Sequence, residues 1–291
     1  MQKILVIGST GNVGSTLTQQ LIASGETVRA ATRNPAAYPA PAGVEPVPFD
    51  YADPSTFEPA LEGTDRVFLL EPQPPLNMAP GEFMIPFIEA AARGGRKIVL
   101  MSSASVVFDE DEPLLKVEHA LKQTHARYVI LRPNWFMDNF HTLWLAPILQ
   151  AGIIPVPAAD SLTAFIDARD IAAAAAAALR DDHLNGQTFT LTGPQALTYS
   201  QVASAISAAA GRPVQYVPVD DHSFTQSLLE AGLPREHALY ITKLFQHTRT
   251  GAALELTASV QQLTARPPHT FEQYANDNAP AWAKPVVGPL T

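Results

Sequence analysis

Gly8, Gly11 and Gly14 stand three residues apart in the run Ile4-Leu-Val-Ile-Gly-Ser-Thr-Gly-Asn-Val-Gly14. A β-branched apolar run ends at Gly8. An amphipathic stretch, with Leu17 and Leu21 one helical turn apart, follows Gly14. A strand, a tight turn and a helix in this order make a βα unit that binds a dinucleotide. Glycine suits such a turn because positive φ, or close approach of the backbone to a ligand, excludes a side chain. Free N–H groups at the helix start, aided by the helix dipole, would hold the pyrophosphate. Gly8, Ser9, Thr10, Gly11, Asn12, Val13 and Gly14 are therefore candidate cofactor contacts. The spacing is G-x-x-G-x-x-G and not the commoner G-x-G-x-x-G, so glycines that serve packing alone are the competing reading.

The second apolar run, at 28–31, leads to Arg33, with no carboxylate between Thr27 and Asn34. A site that prefers NAD places Asp or Glu there to accept from the ribose 2′-hydroxyl. Arg33 instead offers a planar donor fork for a 2′-phosphate, which predicts NADP(H) as the preferred cofactor and NAD(H) as the alternative. A solvated arginine at a loop start is the plainer reading. Asp50 and Tyr51 follow the third apolar run, at an edge suited to gripping adenine. A turn role for Asp50 competes with that. Leu70-Glu71-Pro72 ends the fourth run, where the nicotinamide half would pass.

Positioning these groups requires a sheet with its helices. Short apolar runs at 4–7, 28–31, 44–49, 67–70, 98–101 and 128–131 read as buried parallel strands. Helical patterns at 15–24, 54–62, 81–93 and 113–124 fall between most of them, and Asp53-Pro54 supplies a cap and a first-turn proline. Alternation of this kind predicts an α/β fold, a Rossmann-type doubly wound parallel sheet. Beyond Pro133 the rhythm changes. A short strand at 165–166, an alanine-rich helix at 168–179, a strand at 187–191, a capped helix at 198–210 stopped by Gly211, and a strand at 214–217 are expected. The predicted organisation is a dinucleotide-binding domain over 1–150 that also uses parts of 160–195. A smaller, mainly helical substrate annex follows over 151–278, with an extended or disordered tail at 279–291.

Composition excludes several classes. The chain has 291 residues, 46% hydrophobic and 16% charged, so it can bury a sizeable core. No segment has the apolar length of a membrane span, and no leader pattern precedes the first strand, which predicts a cytoplasmic protein with no membrane partner. A net charge of −9 argues against nucleic acid. The absence of cysteine removes disulfides and thiol chemistry. The expected partner is a small-molecule substrate, and the chain is expected as a monomer or homodimer. His119 and His125 lie six apart on different helix faces, so no metal site is expected. The acidic run 109–112 reads as a solvated loop.

With these motifs in hand, the chain resembles the NmrA-like atypical short-chain dehydrogenase/reductases. Gly8–Gly14, Thr32-Arg33-Asn34-Pro35, Asp50-Tyr-Ala-Asp53, Leu131-Arg-Pro-Asn-Trp-Phe-Met-Asp-Asn-Phe140, Phe165-Ile-Asp-Ala-Arg-Asp-Ile171 and Leu228-Leu-Glu-Ala-Gly-Leu233 carry the likeness, to about Asn278. Within the family it is similar to triphenylmethane reductases, type-2 quinone oxidoreductases and festuclavine-type dehydrogenases. The resemblance implies binding of NADP(H). It also implies that Ser102 fills the serine position of the usual Ser, Tyr-x-x-x-Lys set and Lys116 the lysine position. Glu112 stands where the tyrosine acid would be, which puts simple alcohol–ketone interconversion in doubt. An electron-poor acceptor such as a quinone, an imine or iminium ion, or a dye-like compound takes hydride with little acid help. Lys116 would orient the nicotinamide ribose, or donate a proton if burial lowered its pKa. Trp135, Phe136 and Asn139, after the sixth strand, are candidate substrate contacts, with core packing the alternative for the two aromatics. A reductase is the first functional expectation, and a non-catalytic NAD(P)-sensing regulator of the NmrA type the second.

Overall fold

The structure, a computed structural model, describes residues 3–72, 78–108 and 112–283. Its strands are β1 (Lys3–Val6), β2 (Thr27–Thr32), β3 (Val44–Pro48), β4 (Thr64–Leu70), β5 (Lys97–Met101), β6 (Tyr128–Pro133), β7 (Ile153–Val156), β8 (Gln187–Leu191) and β9 (Gln215–Pro218). Its α-helices are α1 (Asn12–Ala23), α2 (Phe57–Leu61), α3 (Pro80–Arg93), α4 (Pro113–Gln123), α5 (Leu145–Ala151), α6 (Ala168–Arg180), α7 (Tyr199–Ala210), α8 (Asp221–Glu230), α9 (Arg235–Arg249), α10 (Ser259–Thr264), α11 (Phe271–Asp277) and α12 (Ala279–Ala283). The chain divides into two units. One holds Met1–Pro133, Ala168–Leu191 and Ala258–Arg266; the other holds Asn134–Asp167, Thr192–Thr257 and Pro267–Thr291.

The first unit is a seven-stranded parallel sheet in the order β3-β2-β1-β4-β5-β6-β8. Alternate strand residues serve opposite faces. Leu5, Val67, Leu69, Ile98, Leu100 and Ile130 share one core with Phe57, Phe83, Phe87, Val117 and Leu121, so α2, α3 and α4 cover that face. Helices α1 and α6 pack together against the other, α1 on β1 and β2 and α6 on β4, β5 and β6. Ala172, Ala174, Ala175 and Ala178 are fully buried in α6. The small side chain lets that helix lie close to its neighbours, which accounts for its alanine run. The strand order reverses between β1 and β4, and ligands in open α/β sheets bind outside the carboxyl ends of the strands at such a switch point.

The second unit packs α5, α7, α8, α9, α11 and α12 around an aromatic core that includes Phe140, Trp144, Phe165, Tyr199, Phe245 and Phe271. Helix α7 starts with a capping box, Thr198 with Gln201, and ends at Gly211 with φ +65°. Strand β9 pairs in parallel with β7, a strand the apolar pattern did not reveal. Residues 165–166, expected as a strand, make only an isolated bridge from Ile166 to Phe136. The expected tail also differs. Residues 279–283 are helical, because Trp282 is fully buried in the aromatic core and its Nε1 donates to the Phe140 carbonyl at 3.0 Å. The rest of that tail, 284–291, lies outside the described residues.

Candidate active site

The glycine turn leaves β1 at the switch point. Gly8 has φ +76°, which favours glycine, and the Gly11 N–H closes the turn on the Gly8 carbonyl at 2.9 Å. A Cβ on Gly14 would stand 2.1 Å from the Gly8 carbonyl oxygen, so the fold itself demands a glycine where the helix meets the turn. Gly11 differs from both. Its φ is −90°, and a Cβ there would come no closer than 3.5 Å to anything. Among the described residues nothing requires its lack of a side chain, which leaves its backbone open to close approach by a ligand.

Gly11 caps α1 with no side-chain hydrogen bond, and the first turn carries no acidic residue. The positive end of a 12-residue helix therefore stays open to an anion. Thr10 and Asn12 are exposed beside it. Val13 is buried, so its side chain serves the core and only its backbone is available to a ligand. Ser9 is also buried, and its Oγ donates to the Ala31 carbonyl at 3.0 Å; its hydroxyl ties the turn to β2.

Arg33 follows the end of β2, is exposed, and makes no hydrogen bond or ion pair among the described residues. Its guanidinium is free for a phosphate. Asp50 caps its own turn, its Oδ1 accepting from the Ala52 N–H at 2.9 Å, which is the turn role. Tyr51 departs from expectation. It is buried in a nest of Phe49, Phe83 and Phe87, and its hydroxyl donates to the Leu70 carbonyl at 3.1 Å. The ring is core and cannot grip adenine. Burial, and then the nearby Glu71 charge, push its phenol well above the usual range. Leu70 does meet the turn, since its Cδ2 would touch a Cβ on Gly8 at 3.1 Å.

Ser102 follows β5 and is 5% exposed; its Oγ is sealed from solvent with no hydrogen-bond partner among the described residues. Buried hydroxyls are nearly always satisfied, so this one invites a ligand atom. Lys116 is exposed on α4 and makes no ion pair among the described residues, so it lacks the burial a proton-donating lysine needs. Glu118 instead sits fully buried and takes a bidentate grip from Arg132, with Lys122 at 3.7 Å. Glu112 is a second departure. The acidic run read as solvated ends in a residue 5% exposed, at the cap of α4, while 109–111 lie outside the described residues. No metal-ligand group occurs among the described residues.

Trp135, Phe136 and Asn139 belong to the second unit. The Trp135 ring packs on Phe245 at 4.8 Å and its Nε1 donates to Thr248 at 3.0 Å, so it is anchored to the core. Phe136 is half-buried with no ring contact among the described residues, and the Asn139 side chain makes no hydrogen bond there.

The open helix end, the bare Gly11, the free Arg33 and the orphaned Ser102 hydroxyl together fit a phosphorylated dinucleotide. The model of the NmrA-like family matches residues 1–275. The chain belongs to the NmrA-like family. Among its NmrA-like relatives, an uncharacterized oxidoreductase of Bacillus subtilis, YesF, is 35% identical over 280 residues, 96% of each chain. An NAD(P)H azoreductase of Xenophilus azovorans is 30% identical over 287 residues, 96% of this chain and 99% of that one. The fold is shared with the NADPH-dependent quinone oxidoreductase QOR2 of Escherichia coli, at 24% identity and TM-score 0.83 over 94% of this chain and 99% of that one.

Proposed function

We propose that the protein is an NADPH-dependent reductase of a small electron-poor organic acceptor: a quinone, an imine or iminium ion, or a dye-like compound. The open α1 N-terminus behind Gly11, with an unpaired Arg33 at the end of β2, is the observation that carries this reading. The α1 N–H groups would hold the pyrophosphate and Arg33 the 2′-phosphate. Ser102 would offer its hydroxyl to the nicotinamide half. Bound NADPH supplies the hydride. The protein's own work is to orient the ring and keep water away. The names of the Bacillus and Xenophilus relatives support a reductase, and the absence of a tyrosine at position 112 favours acceptors that need little acid help.

The test is loss of NADPH absorbance with menadione, an iminium salt and a triarylmethane dye, alongside binding of both redox forms. Turnover with at least one acceptor is expected. Tight binding of NADPH and NADP+ with no turnover on any of them would overturn the reductase and favour an NAD(P)-sensing regulator.

A further inference from the structure

Glu71 directly follows β4, next to the Leu70 that meets the glycine turn. Strands β4 and β5 run in register with Leu70 beside Met101, so Glu71 and Ser102 are the next pair along the same carboxyl edge. Glu71 makes no hydrogen bond or ion pair among the described residues. Among the described residues one titratable group acts on it, Glu112, which caps α4; the Glu71 charge in turn reaches Tyr51, which follows β3 and bonds to the adjacent Leu70 carbonyl. Tyr51 stays neutral. Burial first, and then the Glu112 charge, push the Glu71 carboxyl up to about 7. Two carboxyls that share a dry site cannot both ionise easily, so one keeps its proton.

The orphaned Ser102 hydroxyl is an independent sign of a ligand at this edge, more than nine-tenths buried and lacking a partner among the described residues. Glu112 also stands four residues before Lys116, in the place of the absent tyrosine acid.

On the reductase reading, we propose that Glu71, beside Ser102 at the carboxyl edge of β4 and β5, is the acid that protonates neutral acceptors. A quinone or azo acceptor gains a hydride from NADPH and one further proton. The Glu71 O–H bond breaks, an O–H or N–H bond forms on the acceptor, and water reprotonates the carboxylate. An iminium ion takes hydride at carbon and needs no such proton.

The experiment compares wild type, Glu71→Gln and Glu112→Gln in the full-length protein, each checked for folding by circular dichroism. Menadione and iminium turnover are measured against pH. Wild-type menadione turnover should fall tenfold per pH unit above about 7, while Glu71→Gln should lower the menadione-to-iminium ratio by about 10²-fold and abolish that limb. Glu112→Gln should move the limb to lower pH, because it removes the like charge. Infrared difference spectra without cofactor should show a protonated carboxyl band that is lost near pH 7 and missing from Glu71→Gln. The proposal is overturned alone if Glu71→Gln keeps the limb, loses both acceptors equally, or keeps the band. If the wild type reduces neither of these nor a triarylmethane dye, the reductase reading fails and the acid role with it; dye turnover alone overturns the acid role and leaves the reductase.

Discussion

Gly11→Ala and Gly14→Ala should separate ligand binding from folding, although both add one methyl to the same turn. At Gly14 the methyl would meet three backbone atoms, the Gly8 oxygen at 2.1 Å, the Gly8 carbon at 2.5 Å and the Ser9 nitrogen at 3.0 Å. Backbone cannot rotate away, so α1 must shift by about an ångström; overpacking of this sort costs about 1–3 kcal/mol. In a domain of this size that lowers Tm by roughly 2–10 °C. At Gly11 the nearest atom is 3.5 Å away, an ordinary contact. The stability loss there should be the few tenths to about 1 kcal/mol of an alanine N-cap. NADPH should bind Gly11→Ala at least tenfold more weakly, about 1.4 kcal/mol, because the methyl occupies the approach to the pyrophosphate. Thermal unfolding and fluorescence titration with NADPH read both effects. Wild-type affinity in Gly11→Ala, or wild-type stability in Gly14→Ala, would refute the division of roles.

Arg33→Ala should weaken NADPH by about tenfold or more and leave NADH nearly unchanged, read by parallel titrations; equal losses would assign Arg33 no phosphate role. Trp282→Ala should cost about 3–5 kcal/mol in urea unfolding, since it empties a fully buried aromatic site and strips the Phe140 carbonyl of its donor. Glu71 is raised to about 7 from 4.5, so its folded state favours the neutral acid. That contribution is full below about pH 4.5 and is lost as pH rises through 7. Glu71→Gln should therefore gain stability on wild type from pH 5 to 8, by up to about 3 kcal/mol, and a flat difference across that range would contradict the buried acid.

The sheet was legible because parallel strands buried on both faces read as unbroken apolar runs, and Asp53-Pro54 and Thr198-x-x-Gln201 mark helix starts whatever surrounds them. The glycine turn was legible for the same local reason. Long-range facts were not. Tyr51 looks like a rim residue until Phe49, Phe83 and Phe87 close on it, and that closure joins two segments about thirty residues apart. Proline content made the segment after Asn278 read as a tail, yet one buried tryptophan decides its first turn. Helix α10 joins the first unit from far along the chain, which no local pattern encodes. Glu112 looked solvated because it ends an acidic run, yet it is buried at the α4 cap. A carboxylate immediately after the Leu70 edge was the available signal for Glu71 as an acid.

The central claim is hydride delivery from NADPH to an external acceptor, and label transfer tests it most directly. The protein is incubated with NADPH dideuterated at the nicotinamide C4 and, in separate reactions, an iminium salt or a triarylmethane dye, both of which keep the label at carbon. Mass spectrometry of the reduced acceptor should show one deuterium per molecule, and Gly11→Ala should form that product more slowly at limiting NADPH. Unlabelled product from either acceptor, or no turnover of these acceptors or of menadione by a protein that binds NADPH, would contradict the reductase.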